Sequence, residues 1–262
     1  MNKYNRNNTI IVIGVAILLL LVSALIYNLY FKNYVDNNKE EEKKESLYVD
    51  ITDENIINEL LNTINVNNLK GVASFEKNID NINALQPLEK IDIAYNAIKK
   101  EDQSVIGVEE LDNYFKDAFK TTIYYDKSDI FCSNGEVLYQ FDLATNSYVY
   151  NSLHNCENHN EVIPSYTKVL SAKKKNNIYV ITVSYVWNNT LAPDTMYETY
   201  NNALNQKDML LAVPSEEGNP SEEDVKNFID SSYDNIKDKL HKYTYVFDKQ
   251  NDKYLLESVK YE

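Results

Sequence analysis

The chain has 262 residues and a formal net charge of −14 at pH 7, with 26 basic residues against 40 acidic ones. Binding to nucleic acid requires clustered Lys and Arg, so this charge argues against a nucleic-acid partner. Arg6 is the only arginine, and phosphoryl transfer is therefore disfavoured too, because a guanidinium group is the usual bidentate phosphate ligand.

The first predicted element is a membrane-spanning helix over residues 9–31, a segment without a charged side chain. About 20 helical residues cross the roughly 30 Å hydrocarbon core of a bilayer. Lys3 and Arg6 precede the segment, so the positive-inside rule makes residues 1–8 a cytoplasmic tail and places the rest of the chain outside the cell membrane. A cleaved signal peptide has a shorter apolar core, of about 7 to 15 residues. We therefore expect an uncleaved, single-pass signal-anchor.

A charged linker follows at residues 32–46, with the sequence KNYVDNNKEEEKKES. Its low apolar content and mixed charge are typical of a solvated spacer. We expect an extracytoplasmic domain over residues 47–262, helical to about residue 120 and rich in strands from about residue 128. Everything after residue 31 carries 24 Lys and 40 acidic residues, a formal charge of −16. The exported part is thus strongly acidic.

Three helices are predicted in the first part of this domain from apolar residues at helical spacing. The first covers residues 52–64, with Thr52 as its N-cap. The second begins at Pro87, which suits the first turn of a helix, and ends near residue 100. The third covers residues 107–120. The pattern between residues 65 and 83 does not favour one structure.

From Ile130 onward the apolar residues alternate with a period of two, which predicts antiparallel strands. Residues 205–220 are predicted to be the least ordered internal stretch, and Ser221 can cap a helix that runs to about residue 240. The predicted strands cover residues 136–141, 147–151, 162–172, 178–187, 196–201, 242–247 and 253–261.

Helices followed by strands predict an α+β domain, with the helices packed on one face of a mainly antiparallel sheet. The helix at 107–120, the strands after it and the closing segment YTYVFDKQNDKYLLESVKYE resemble the NTF2-like or cystatin-like domains of uncharacterised single-pass exported proteins of A+T-rich bacteria. The resemblance covers the latter half of the chain. Such folds serve both binding modules and enzymes, so the resemblance implies a fold and leaves the activity open.

The most specific local constellation of side chains is formed by Cys132, His154, Cys156 and His159. The two cysteines flank the first predicted hairpin, which can bring them together, and export permits a disulfide between Cys132 and Cys156. The same four side chains are suitable zinc ligands, and two free thiols are the third alternative. No cofactor is predicted.

Recognisable catalytic motifs are lacking in the sequence. The acidic pairs at 53–54 and 109–110 and the triplet at 222–224 lie at predicted helix starts, where the helix dipole explains them. The sequence therefore favours a binding or interaction module over an enzyme, with an envelope protein, a cationic ligand or a small molecule as its partner. Two alternatives stay open: an envelope hydrolase that uses paired carboxylates, and a thiol or metal sensor built on Cys132 and Cys156.

Overall fold

The computed structural model describes residues 48–99, 103–152, 163–188, 196–200, 209–214 and 222–262. Contacts divide the chain into two compact units, Met1–Val49 and Asp50–Glu262, and the second holds nearly all of the described residues. The α-helices are α1 (Glu54–Val66), α2 (Leu69–Ala73), α3 (Pro87–Ile98), α4 (Val108–Ala118) and α5 (Glu222–Ile236). The strands are β1 (Val49–Asp50), β2 (Val105–Gly107), β3 (Ile130–Phe131), β4 (Val137–Asp142), β5 (Ser147–Tyr150), β6 (Ile163–Lys175), β7 (Ile178–Asn188), β8 (Met196–Tyr200), β9 (Met209–Pro214), β10 (Lys242–Gln250) and β11 (Lys253–Tyr261).

The starts of the helices follow from their capping residues. The Asp53 carboxylate accepts a hydrogen bond from the Asn55 N–H group at 3.0 Å and caps α1. The prediction of Thr52 as the cap was therefore wrong by one residue, since Asp53 has the extended backbone directly before the helix and its carboxylate reaches the free amide. At α4 the Glu110 carboxylate accepts from the Gly107 N–H group at 2.9 Å. Asp53 and Glu110 are thus capping groups, whereas the acidic residues at these helix starts were explained from the sequence by the helix dipole alone.

The larger sheet contains seven strands, of which five follow the order β1-β6-β7-β10-β11, and β8 joins β7 and β9. From β6 onward, the strand pairings among the described residues of this sheet are antiparallel. Along β7, alternate residues face the main core, and their side chains are almost fully buried, as the period of two predicts. These residues are Ile181, Val183, Tyr185 and Trp187.

A second, four-stranded antiparallel sheet has the order β2-β5-β4-β3. The first predicted hairpin, β4–β5, belongs to this sheet and not to the larger one. The α+β class and the antiparallel pairing are confirmed, but two sheets replace the single predicted sheet. This division could not be predicted from the sequence, because β2, which borders β5, is too short for a period of two to be recognised.

Helix α5 packs on the opposite face of the larger sheet from the main core. It contributes Ile229 and Ile236 to a small cluster with Tyr166 and Val186. Val186 lies between Tyr185 and Trp187 in β7, and successive strand residues point to opposite faces. The prediction that the helices share one face is therefore wrong for α5. Strand β9 was also missed, because residues 205–220 were expected to be the least ordered.

Within the described residues, no helix is long and apolar enough to cross a membrane. The predicted anchor at residues 9–31 and the linker at residues 32–46 lie outside that part of the chain.

Candidate binding clefts

The chain after α4 is held at two points, and these points create two adjoining concavities. The Lys120 N–H group donates to the Leu256 carbonyl at 2.9 Å, which fastens the chain to the edge of β11. Farther along, the Asn83 side chain donates to the Thr122 carbonyl at 2.8 Å and accepts from the Tyr124 N–H group at 2.9 Å. Residues 119–123 of this segment line one concavity, and residues 123–127 line the other.

The first concavity, which we call the hairpin groove, lies between the end of α4 and the β10–β11 hairpin and has a volume of about 750 Å³. Four apolar side chains line it, and three of them are almost fully buried, so they form its floor. These are Phe115, Phe119 and Ile123, with Leu255 as the fourth. Polar and charged side chains line the rest of the groove, among them Lys116, Asp117, Lys120, Asn251 and Lys253.

Ion pairs hold the charged rim of the hairpin groove in place. The Lys120 ammonium lies 3.1 Å from an Asp248 carboxylate oxygen and 3.2 Å from one of Glu257. These hydrogen bonds raise the pKa of Lys120 above its ordinary value. Lys253 pairs with Asp117 at 2.7 Å. Because exposed pairs of this kind add little stability, their main effect is to fix which charges border the groove.

The second concavity, the Lys90 cleft, has a volume of about 520 Å³ and shares Asp112 and Ile123 with the hairpin groove. Lys90, in the first turn of α3, is only 7% exposed although it carries an ammonium group. Its Nζ atom donates to the Tyr124 carbonyl at 2.9 Å. Burial lowers the pKa of Lys90, and the charge of Asp126, which also lines the cleft, acts in the opposite direction.

Two tyrosine hydroxyls organise the wall of the Lys90 cleft. Tyr125 donates to an Asp112 carboxylate oxygen at 2.7 Å, and Tyr148 donates to the Asp126 carbonyl at 2.6 Å. Burial raises the pKa of Tyr148 to about 12. Burial and the bond to Asp112 raise the pKa of Tyr125 as well. Both hydroxyls therefore stay protonated and keep donating at neutral pH.

Of the four residues that the sequence singled out, Cys132 lies in the described part of the chain, and it lines neither cleft. Cys132 is buried at the end of β3 and is disulfide-bonded. A sulfur atom in a disulfide is not a thiolate and does not bind zinc as one. His154, Cys156 and His159 lie outside the described residues, so the pairing of Cys132 with Cys156 stays a prediction. Among the described residues, no group of three or more acidic, His or Cys side chains is placed to hold a metal ion.

The residues of the clefts were not identified from the sequence, although the position of one of them, Lys90, was unusual in the sequence pattern. Lys90 stands four and seven residues before Ala94 and Ala97, a spacing that puts a lysine on the apolar face of α3. A charged residue on that face indicates a buried or functional amine. Asp112 and Asp126 left no such signal, because they come together only through the path of the chain after α4.

Comparison with known proteins adds no relative: no family model, no curated protein and no solved structure matches the chain.

Proposed function

We propose that the chain is a membrane-tethered binding module that works outside the cell membrane. In this proposal residues 9–31 span the membrane once with the N-terminus in the cytoplasm, residues 32–46 form the spacer, and residues 47–262 present the ligand site. The apolar segment and the basic residues before it support the tether. A related fold proposal is that the domain is NTF2-like or cystatin-like, which the antiparallel sheet with its closing β10–β11 hairpin supports.

The observation that carries the proposal is that the two clefts adjoin each other. The hairpin groove and the Lys90 cleft share Asp112 and Ile123 in their walls, so both border the same stretch of surface. An apolar floor bordered by a few fixed polar groups is the general composition of a ligand site. The ligand in this proposal is a small molecule or a segment of an envelope protein that covers part of this surface.

A photo-reactive phenylalanine in place of Thr122 tests the binding surface, because Thr122 lines the hairpin groove and its side chain is exposed. The full chain carrying this substitution is irradiated in the cells that express it, and adducts are sought by mass spectrometry. We expect an adduct at Thr122 and none at Leu143, an exposed residue that lines neither cleft. Equal labelling at both positions, or no adduct at Thr122, would contradict the proposal.

A hydrolase is the second candidate, favoured by one observation: the carboxylates of Asp112 and Asp126 line the same cleft. Two acids in one cleft are the minimum that glycoside hydrolysis requires. The full chain is assayed on a panel of envelope polysaccharides and peptides, beside the variant Asp112→Asn with Asp126→Asn. Turnover that this variant loses would establish the hydrolase and displace the binding module.

A further inference from the structure

Lys90 is almost fully buried as a residue, and its ammonium group is without a full set of hydrogen bonds to the described protein groups. A lysine ammonium has three N–H donors, and within the described part of the chain only the Tyr124 carbonyl accepts from it. Leaving charged donors buried and unpaired is costly, more so than for neutral groups. Because Lys90 lines the open Lys90 cleft, a ligand entering the cleft can supply the missing acceptors.

A carboxylate of opposite charge lies near Lys90 without touching it. Asp126 lines the same cleft and its charge acts on Lys90, yet the two side chains form no ion pair in the described residues. The Asp126 side chain is exposed and no hydrogen bond to it is found within that same part of the chain, so its oxygens are open to a donor. The Lys90 ammonium, which can donate further hydrogen bonds, and the Asp126 carboxylate, which can accept them, thus line the same cleft.

The remaining walls suit a compact ligand with an apolar side chain. Pro87, Ile123 and Tyr124 line the cleft beside the charged groups. The volume of about 520 Å³ is large enough for a small molecule but below that of many drug-sized sites. The Asp112 carboxylate already accepts a hydrogen bond from Tyr125. Lys90 and Asp126 are therefore the oppositely charged pair that can form further hydrogen bonds with a ligand.

From this geometry we propose that the Lys90 cleft binds a free α-amino acid as its zwitterion, with the ligand carboxylate on Lys90 and the ligand ammonium on Asp126. The proposal rests on the proposed binding function and adds the class of ligand. A zwitterion carries its two charges a few ångströms apart, so it can bridge a cation and an anion that face one space without meeting. Its side chain would then lie against Ile123 and Tyr124.

The test is a titration of the full chain, purified in detergent, with a panel of apolar amino acids, followed by nuclear magnetic resonance and calorimetry. Methyl esters of the same amino acids lack the carboxylate, and N-acetyl derivatives lack the ammonium. We expect the free amino acids to bind at least tenfold more tightly than either derivative. Equal affinity for the three forms, or no binding of any free amino acid, would overturn the proposal.

Two substitutions assign the two contacts. Lys90→Met keeps the aliphatic stem, and we expect it to abolish the preference for the free acid over the ester. Asp126→Asn changes an exposed side chain and leaves the fold in place; we expect it to abolish the preference for the free amine over the N-acetyl form. Lys226→Met changes an exposed lysine of α5 that lines neither cleft; it serves as the control and should change neither preference. Unchanged preferences in both cleft variants would also overturn the proposal.

The titration separates this proposal from the binding function on which it rests. If the photo-reactive group at Thr122 forms its adduct while no free amino acid binds, the module stands and the zwitterion is wrong. If neither is observed, both are wrong.

Discussion

The hydroxyls of Tyr185 and Tyr245 form a hydrogen bond of 2.8 Å in the interior of the large sheet, where both side chains are fully buried. They lie on neighbouring strands, β7 and β10, and the Tyr245 hydroxyl also lies 3.4 Å from the Leu69 carbonyl. This contact joins the sheet to α2. Two buried hydroxyl groups and one carbonyl thus link the large sheet to the helix that packs on it.

Removing either hydroxyl leaves a buried partner without its hydrogen bond. We expect Tyr185→Phe and Tyr245→Phe each to lower the free energy of unfolding by about 1–3 kcal/mol. The double variant should lose less than the sum of the two, because it leaves neither hydroxyl of the pair behind. Unfolding in urea measures all three values, and strict additivity would show that the pair does not interact.

The disulfide state of Cys132 yields a second prediction for single residues. The chain has two cysteines, and we expect the full chain, denatured without a reductant, to react with no thiol reagent. After reduction it should react at two sites, Cys132 and Cys156. Denaturation is needed because Cys132 is only 5% exposed in the fold. Two reactive thiols before reduction would refute the predicted pairing.

Among the elements, α1 provides a direct contrast between the sequence and the structure. Asp53→Ala removes the carboxylate that bonds to the Asn55 N–H group, and we expect a loss of about 1 kcal/mol in the free energy of unfolding. Thr52→Ala removes the residue that the sequence favoured as the cap, and the change should stay within about 0.5 kcal/mol. The midpoints of urea unfolding measure both. A larger effect at Thr52 than at Asp53 would restore the sequence-based cap.

The elements also show what local sequence can and cannot reveal. Long helices with an apolar stripe, such as α3 and α4, and long alternating strands, such as β7 and β10, were predicted close to their observed bounds. Their period is visible in any window of ten residues. Strand β2 is too short to have a visible period, and it pairs with a strand about 40 residues away in sequence. The division into two sheets therefore depends on a long-range contact.

The clefts escaped prediction for the same reason. Lys90 was detectable as a lysine on the apolar face of α3, but its neighbours Tyr124 and Asp126 reach it only because Asn83 holds the segment after α4. Nothing in the local pattern around Asn83 distinguishes it from the other asparagines of an Asn-rich chain. The candidate site thus depends on tertiary contacts. The long helices and strands that carry it can be recognised from local sequence patterns.

Over the whole molecule, buried tyrosine is the main titratable component of the core. Burial raises the pKa of Tyr148 from 10.0 to about 12, and it also raises the pKa values of other buried tyrosines of the described residues. Among these are Tyr114, Tyr139, Tyr185, Tyr243 and Tyr245. Such a core favours the neutral phenol, so the folded state retains protons that the unfolded chain releases above its own pKa.

We therefore expect the free energy of unfolding to fall as the pH rises from 10.0, the unfolded value, toward about 12. The unfolded state binds fewer protons over this range, and each affected tyrosine contributes a slope of about 1.4 kcal/mol per pH unit. Below the unfolded pKa the contribution is constant. Urea unfolding at a series of pH values measures the slope.

Tyr148→Phe supplies the control for this pH dependence. The variant should lose the share of one group, about 1.4 kcal/mol per pH unit, whatever its effect at neutral pH. A slope identical to that of the unsubstituted chain would mean that Tyr148 titrates alike in both states and contributes nothing to the alkaline loss.

At the level of the whole molecule, we propose that residues 9–31 tether the domain to the outer side of the cell membrane. The most direct measurement places an epitope tag after Glu262 and adds protease to intact cells that express the full chain. The proposal predicts that the chain stays with the membrane fraction after an alkaline wash and that the protease removes the tag from intact cells. A tag that is cleaved only after lysis, or a chain released by the wash, would contradict it.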